Sequence, residues 1–276
     1  MDTTLVLGGT GKTGRRIVDR LRRRDLSVRV GSRSGQPSFD WYDLSTWERA
    51  LEGVKSAYIS FYPDLAIPGA PEAVAAFCAQ ALKRGTRRLV LLSGRGEAEA
   101  QRAEEILQAS GADWTILRCS WFMQNFSEAF FLDSILAGEV ALPVRDIPEP
   151  FVDADDIADV AVAALTDDRH IGKLYELTGP RLLTFAQAVD AISAQTGRPV
   201  RFTSVSMSDF SATLTQQGTP AEVVVFLQYL FSEVLDGRNA HLTSGVEEAL
   251  GRKPRDFLDY ARDTANSGVW LQRDGQ

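Results

Sequence analysis

The stretch Thr3-Thr4-Leu5-Val6-Leu7-Gly8-Gly9-Thr10-Gly11-Lys12-Thr13-Gly14 decides how this chain is read, because an apolar run leads straight through a glycine-rich turn into a helical pattern. Thr3–Leu7 reads as a strand, and Ile17, Val18 and Leu21 recur at helical spacing behind the glycines. The turn satisfies GxxGxxG through Gly8, Gly11 and Gly14, and GxGxxG through Gly9, Gly11 and Gly14. Lacking Cβ atoms, such a backbone turns sharply and approaches a diphosphate closely, while amides at the helix start face its oxygens. Strand, turn and helix in this order mark a dinucleotide site. The rival is a nucleotide-hydrolysing phosphate loop, since Gly11-Lys12-Thr13 contains GKT. That loop also needs glycine where Val6 stands, and it fails there.

Outward from this stretch, short apolar runs keep alternating with amphipathic ones. Strands are expected at Ser27–Gly31, Ala57–Phe61, Arg88–Ser93 and Trp114–Cys119, and helices at about Thr13–Arg24, Thr46–Leu51, Pro71–Arg84 and Glu97–Ser110. Runs such as Leu89-Val90-Leu91-Leu92 fit strands buried on both faces of a parallel sheet. Beyond about Asn125 the alternation fades into an aromatic segment with Phe126, Phe130 and Phe131, then a Gly/Pro-marked stretch from Gly138 to Pro150. A helix is expected to start near Asp153–Asp156, a strand to return at Leu174–Leu177, and Thr184 to cap a helix Phe185–Thr196 closed by Gly197. Arg201 to Gln276 reads as helical with polar connections. The expectation is an α/β, Rossmann-type doubly wound parallel sheet with a small, mainly helical C-terminal substrate lobe. Residues 1–128, joined by 151–180, would form the dinucleotide domain, and 129–150 with 181–276 the lobe.

Composition narrows the function. The 276 residues are 44% hydrophobic, enough for a sizeable core, and 30 Lys+Arg against 37 Asp+Glu leave a net charge of −7 with no general field for nucleic acid. Cys78 and Cys119 form no CxxC pair, and with only His170 and His241 beside them no metal site is expected. No signal sequence or run of about 18 apolar residues stands out, so the expected setting is cytoplasmic, without a membrane. The run Arg15, Arg16, Arg20, Arg22, Arg23 and Arg24 reads chiefly as a solvated helix face.

An acid ending the second strand would hold the adenosine ribose of NAD, but the chain has Gly31-Ser32-Arg33-Ser34. A guanidinium between hydroxyls suits a ribose 2′-phosphate, which favours NADP(H), although a solvated turn arginine remains the plainer alternative. No tyrosine is followed by lysine four positions on, so the proton-donating pair of ordinary short-chain dehydrogenases is missing. Ser93, ending a strand, either polarises a substrate, holds the nicotinamide carboxamide or merely caps the strand. Leu91 excludes a GxSxG hydrolase elbow around it. Phe61-Tyr62-Pro63 ends another strand on the same side, and Tyr62 is the tyrosine nominated as donor. Trp121, Phe122 and Phe126 are nominated to line an apolar acceptor pocket, with plain core as the alternative. Glu104, Glu105, Asp153, Asp155 and Asp156 read as structural.

Three segments carry a family resemblance. They are Leu7 to Gly14, then Thr115-Ile116-Leu117-Arg118 leading to Trp121-Phe122-Met123-Gln124-Asn125-Phe126, and Pro150-Phe151-Val152-Asp153 before Asp156-Ile157-Ala158. Together they resemble the NmrA-like, atypical short-chain dehydrogenase/reductase group. Phe39-Asp40-Trp41 with Ser45-Thr46-Trp47-Glu48-Arg49-Ala50-Leu51 is similar to its festuclavine/agroclavine dehydrogenase branch and the bacterial relatives of that branch. The resemblance implies NADP(H) with Gly8, Thr10, Gly11, Lys12, Thr13 and Gly14 at the pyrophosphate. It further implies Arg33 at the 2′-phosphate, Asp40 and Trp41 on the adenine side, and Phe61, Tyr62 and Ser93 on the nicotinamide side. Some quinone-reducing relatives carry a histidine where Ala100 stands, which weakens a quinone assignment. The expected activity is NADPH-dependent hydride transfer to a small apolar acceptor: an imine or iminium, a carbonyl or a conjugated alkene. The alternatives are an NADP(H)-binding redox sensor without turnover and a quinone reductase. The partner is a small molecule, and the chain is expected to be a monomer or a homodimer.

Overall fold

The computed structural model describes residues 2–128 and 130–271. Ala129 and residues 272–276, assigned above to the lobe, lie outside the described residues. The first elements are β1 (Thr3–Leu7), α1 (Lys12–Arg22), β2 (Ser27–Gly31), α2 (Trp47–Leu51), β3 (Val54–Ile59), α3 (Ala70–Lys83), β4 (Arg88–Gly94), α4 (Ala98–Ala109) and β5 (Asp113–Cys119). After them come α5 (Leu132–Ala137), β6 (Glu139–Leu142), α6 (Ala154–Thr166), β7 (Lys173–Leu177), α7 (Phe185–Thr196), β8 (Arg201–Ser204), α8 (Met207–Gln216), α9 (Ala221–Tyr229), α10 (Gly245–Leu250) and α11 (Phe257–Asn266).

These elements form two compact units. One takes the chain up to Cys119 with Ala154–Leu177 and Ser244–Lys253, and the other takes Ser120–Asp153, Thr178–Thr243 and the chain from Pro254. Residues 120–128, 151–153 and 178–180 thus group with the second unit, and Ser244–Lys253 with the first.

The first unit is a six-stranded parallel sheet in the order β2-β1-β3-β4-β5-β7, a Rossmann-type arrangement. Chain order reverses beside β1, which has β2 on one edge and β3 on the other. Ligands of such sheets bind outside the carboxyl ends of the strands at that switch point, so the loops after β1, β2 and β3 are the ones to inspect. Leu5, Leu7, Leu89, Leu91 and Ile116 are fully buried, as strands covered on both faces require. Part of the arginine run proves to be a fastening: Arg20 meets Asp155 at 2.7 Å and Asp159 at 2.6 Å on α6. Burial pushes the Asp155 carboxyl up, but the Arg20 and Arg16 guanidiniums outweigh it and hold it below its ordinary range.

The third strand ends at Ile59, not at Phe61, because the Phe61 ring leaves the ladder to pack on Trp41, 4.8 Å between centroids. The second unit packs around buried Phe126, Phe131, Phe151, Phe185, Phe257 and Trp270, with edge-to-face pairs such as Phe126–Phe257 at 5.6 Å. Thr184 and Gln187 form the capping box that starts α7, and Gly197 closes it at φ +63°. One feature of this unit escaped the sequence reading. β6 and β8 pair in parallel, Glu139 opposite Arg201 through Leu142 opposite Ser204. Four-residue strands far apart in sequence leave no local period strong enough to detect. Among the described residues, no helix is long and apolar enough to cross a membrane.

Candidate coenzyme site

The glycine loop is tight because each glycine meets backbone. Gly8 takes φ +64°, a left-handed turn, and its carbonyl accepts the Gly11 N–H at 2.8 Å. A Cβ on Gly9 would stand 2.9 Å from both the Val6 carbonyl oxygen and Val30 Cγ1. A Cβ on Gly14 would overlap the Gly8 carbonyl and reach 2.8 Å from Gly9 Cα. The start of α1 is therefore drawn against the loop, and the Thr13 and Gly14 amides, in the first helical turn, have no acceptor within the helix. Thr10 and Gly11 are exposed and Lys12 is half-buried. These features fit a diphosphate: unpaired amides open the helix at a turn held so close to it that a Cβ at Gly14 would overlap the Gly8 carbonyl. The Thr13 side chain is the exception. It is buried, and its hydroxyl accepts a 2.9 Å hydrogen bond from the Tyr58 hydroxyl, which fixes the side chain against β3 while its own proton stays available.

At the end of β2, Arg33 is exposed and its guanidinium lies over the Tyr62 ring, 5.4 Å from the centroid. Tyr62, expected on the nicotinamide side, thus meets the residue expected at the 2′-phosphate. Two further residues move from ligand contact to core. Trp41 is buried among Phe39, Trp47, Phe61 and Phe77, and its Nε1–H donates to the Ser60 carbonyl at 3.1 Å. Phe61 is only 8% exposed in the same cluster. Asp40 shapes the turn before α2: its carboxylate accepts the Tyr42 N–H at 3.0 Å and its carbonyl the Trp47 indole N–H at 2.7 Å. A 610 Å³ cavity lined by Arg29, Gly35, Gln36, Thr46 and Arg49, among others, flanks the same turn but none of the loop glycines lines it.

Ser93, ending β4, is buried and donates its hydroxyl proton to Glu104 Oε1 at 2.5 Å. Glu104 is buried on α4 and also receives Arg118, with Nε at 3.0 Å from Oε1 and Nη2 on Oε2. Arg118 continues to Glu176 at 2.8 Å, and Glu176 meets the buried Arg95 at 3.5 Å. The Glu104 hydrogen bond raises the Arg118 guanidinium further above its ordinary value, although its desolvation works the other way. The Ser93 proton is thus committed to a carboxylate, which leaves the oxygen lone pairs for a ligand and removes Ser93 as an acid.

Sequence reasoning passed over Glu97. It is the N-cap residue of α4, yet its side chain makes no capping hydrogen bond. The carboxyl lies instead against Gly94, where a Cβ would overlap it. The only signal in the sequence was a glycine three residues before a glutamate at a strand end.

In the second unit, Phe126 is fully buried and its carbonyl accepts the Trp270 indole N–H at 2.8 Å, so it is core and not a substrate contact. Trp121 is half-buried, 5.5 Å from both Phe185 and Phe231, and Phe122 is half-buried where it bridges to Val152. Both keep some surface for a ligand.

The profile of the NmrA-like family matches residues 99–261, and a profile described as NAD(P)H-binding matches residues 8–168. The agroclavine dehydrogenase of Claviceps fusiformis is 33% identical, over 99% of this chain and 100% of its own length. An uncharacterized oxidoreductase of Bacillus subtilis, YesF, is 32% identical over 96% of each chain. Among solved structures, the NADPH-dependent quinone oxidoreductase of Escherichia coli, complexed with NADPH, matches with a TM-score of 0.77 at 20% identity. It covers 94% of this chain and 99% of that one.

Proposed function

Since the chain belongs to the NmrA-like family and is an NAD(P)H-binding oxidoreductase, we propose that it is an NADPH-dependent reductase of small, largely apolar acceptors carrying a C=N, C=O or conjugated C=C bond. The observation that carries the reading is the loop from Gly8 to Gly14, packed so closely that a Cβ on Gly14 would overlap the Gly8 carbonyl. Thr10, Gly11, Lys12 and the amides of Thr13 and Gly14 hold the pyrophosphate in this reading. Arg33, with no acid at the end of β2, takes the 2′-phosphate, and its contact with Tyr62 steadies it for that task. When bound, the reduced nicotinamide supplies a hydride. The protein orients the acceptor, excludes water and polarises the bond that is reduced. The Ser93 oxygen is held by Glu104 with its lone pairs free to receive a carboxamide N–H.

The test is calorimetric titration with NADPH and NADH, followed by NADPH oxidation over imines, enones and quinones. Tight NADPH binding, weaker NADH binding and turnover of at least one acceptor are expected. Absence of heat with either coenzyme refutes the reading, and binding without turnover on the whole panel would make the protein a sensor.

A further inference from the structure

Reduction of a neutral double bond needs a proton as well as a hydride, and the residues nominated for it from sequence are unsuitable: Tyr62 stands with Arg33 and the Ser93 proton belongs to Glu104. Building on the reductase reading, we propose that Glu97 is the proton donor, and that the acceptors are therefore neutral imines, carbonyls, enones or quinones, which require one, in preference to preformed iminium cations.

The argument begins with position. Gly94 is the last residue of β4, at the carboxyl ends of the strands where this class of sheet holds its ligands. The Glu97 carboxyl lies over Gly94 in space that only a missing Cβ leaves open. The α4 amides beside it are the natural partners for a carboxylate at an N-cap, and it does not use them.

Charge follows from position. The two arginines next to the strand end are engaged with other carboxylates: Arg118 with Glu104 and Glu176, and Arg95 with Glu176. Glu97 is left facing Asp64 from the loop after β3, Glu104 from α4 and the buried Cys119 thiol from β5. Among the described residues its carboxyl has no hydrogen bond or ion pair. Desolvation first, then the charges of Asp64 and Glu104, push its acid range well above the ordinary carboxylate value. Burial raises Asp64 as well, but that carboxylate accepts the Ala66 N–H at 2.9 Å, which favours its anion. Of the two, Glu97 keeps the proton. It is half-buried, so it is dry enough to stay neutral and open enough to be reached. A carboxylic acid kept neutral by an apolar, anion-facing site is a recurring way to supply a proton near pH 7.

The step balances. As hydride bonds to one atom of the acceptor double bond, the π pair moves to the other atom. That atom forms a new N–H, O–H or C–H bond with the Glu97 proton while the Glu97 O–H bond breaks, and the carboxylate is later reprotonated from water. An iminium needs no such proton, because its nitrogen receives the π pair and becomes neutral.

Two variants test this. Glu97→Gln keeps the shape and removes the acid. Gly94→Ala puts a Cβ where the carboxyl lies and displaces a flexible side chain, since the nearest atoms it meets are the Glu97 carboxyl. In coenzyme-free protein at pH 7, difference infrared spectroscopy should show the C=O stretch of a protonated carboxyl that is absent from both variants. With NADPH saturating, kcat on a neutral enone or quinone should fall about 10²–10⁴-fold in Glu97→Gln, and its ratio to kcat on a preformed iminium should fall with it. The wild-type rate on neutral acceptors should decline as pH rises through the raised acid range, and this limb should vanish in Glu97→Gln. A band that persists in Glu97→Gln, or a rate on neutral acceptors within about threefold of wild type, overturns the donor alone. Wild-type protein that binds no NADPH overturns the reductase reading and the donor with it.

Discussion

Gly14→Ala is the substitution that most directly tests how the coenzyme loop is built. Gly14 lies in the first turn of α1, where alanine would ordinarily stabilise a helix by up to about 1 kcal/mol. Here the new Cβ would stand 2.7 Å from the Gly8 carbonyl carbon and 2.8 Å from Gly9 Cα. Ordinary carbon–carbon contact begins near ~3.5 Å, so helix and loop must separate by about 0.8 Å. Both obstacles are backbone, and no rotamer change relieves them. Overpacking of this kind costs about 1–3 kcal/mol, and the upper part of that range is expected, enough to outweigh the helical gain. At roughly 2–4 °C per kcal/mol, the melting temperature of the coenzyme-free protein should fall by about 3–8 °C. Displacing the amides by most of an ångström should also weaken NADPH, on the order of 10–100-fold. Scanning fluorimetry without ligand and calorimetry with NADPH read the two effects separately. A melting temperature that stays level or rises, with NADPH affinity within twofold of wild type, would refute the close-packed cradle.

Arg33→Ala should weaken NADPH about 10–100-fold and NADH by less than about threefold, since it removes charge-assisted bonds only the 2′-phosphate can accept; equal losses would reduce Arg33 to a surface residue. Trp41→Phe should lower stability by about 1 kcal/mol through the lost bond to the Ser60 carbonyl and leave NADPH affinity unchanged by calorimetry; a large affinity loss would return Trp41 to the adenine side. Arg20→Ala should lower stability by at most about 1 kcal/mol, less at high salt, because its partners Asp155 and Asp159 are about a third exposed; an undiminished effect in 1 M salt would point to packing. The raised acid ranges of Glu97 and Asp64 favour the folded state in full below the ordinary carboxylate range, and that contribution is lost as pH rises through the raised range. Denaturant unfolding from pH 4 to pH 9 should therefore show Glu97→Gln more stable than wild type at the alkaline end, and parallel curves would contradict the buried neutral acid.

The β–loop–α opening was legible because its determinants are neighbours in the chain. Strand β1, the glycines and α1 lie within a span of 20 residues, and steric rules at Gly8 and Gly14 hold whatever surrounds them. The bounds of β2 and α7 could likewise be read from turn and cap residues, and both agree with the structure. The β6–β8 pair could not, because nothing near Glu139 in sequence announces Arg201 as its partner.

The sequence alone therefore determined the sheet, the coenzyme loop and the absence of an acid after β2, all set by short-range chain geometry. Tertiary structure decided which polar and aromatic groups remain available for chemistry. Thr13 is taken by Tyr58, Ser93 by Glu104, and Trp41 and Phe61 by their own cluster, whereas Glu97 is freed from its cap and set against Gly94. Hydrogen-bond engagement and desolvation depend on partners distant in the chain, 45 residues apart for Tyr58 and Thr13 and 144 for Trp270 and Phe126, and a linear pattern carries no record of them.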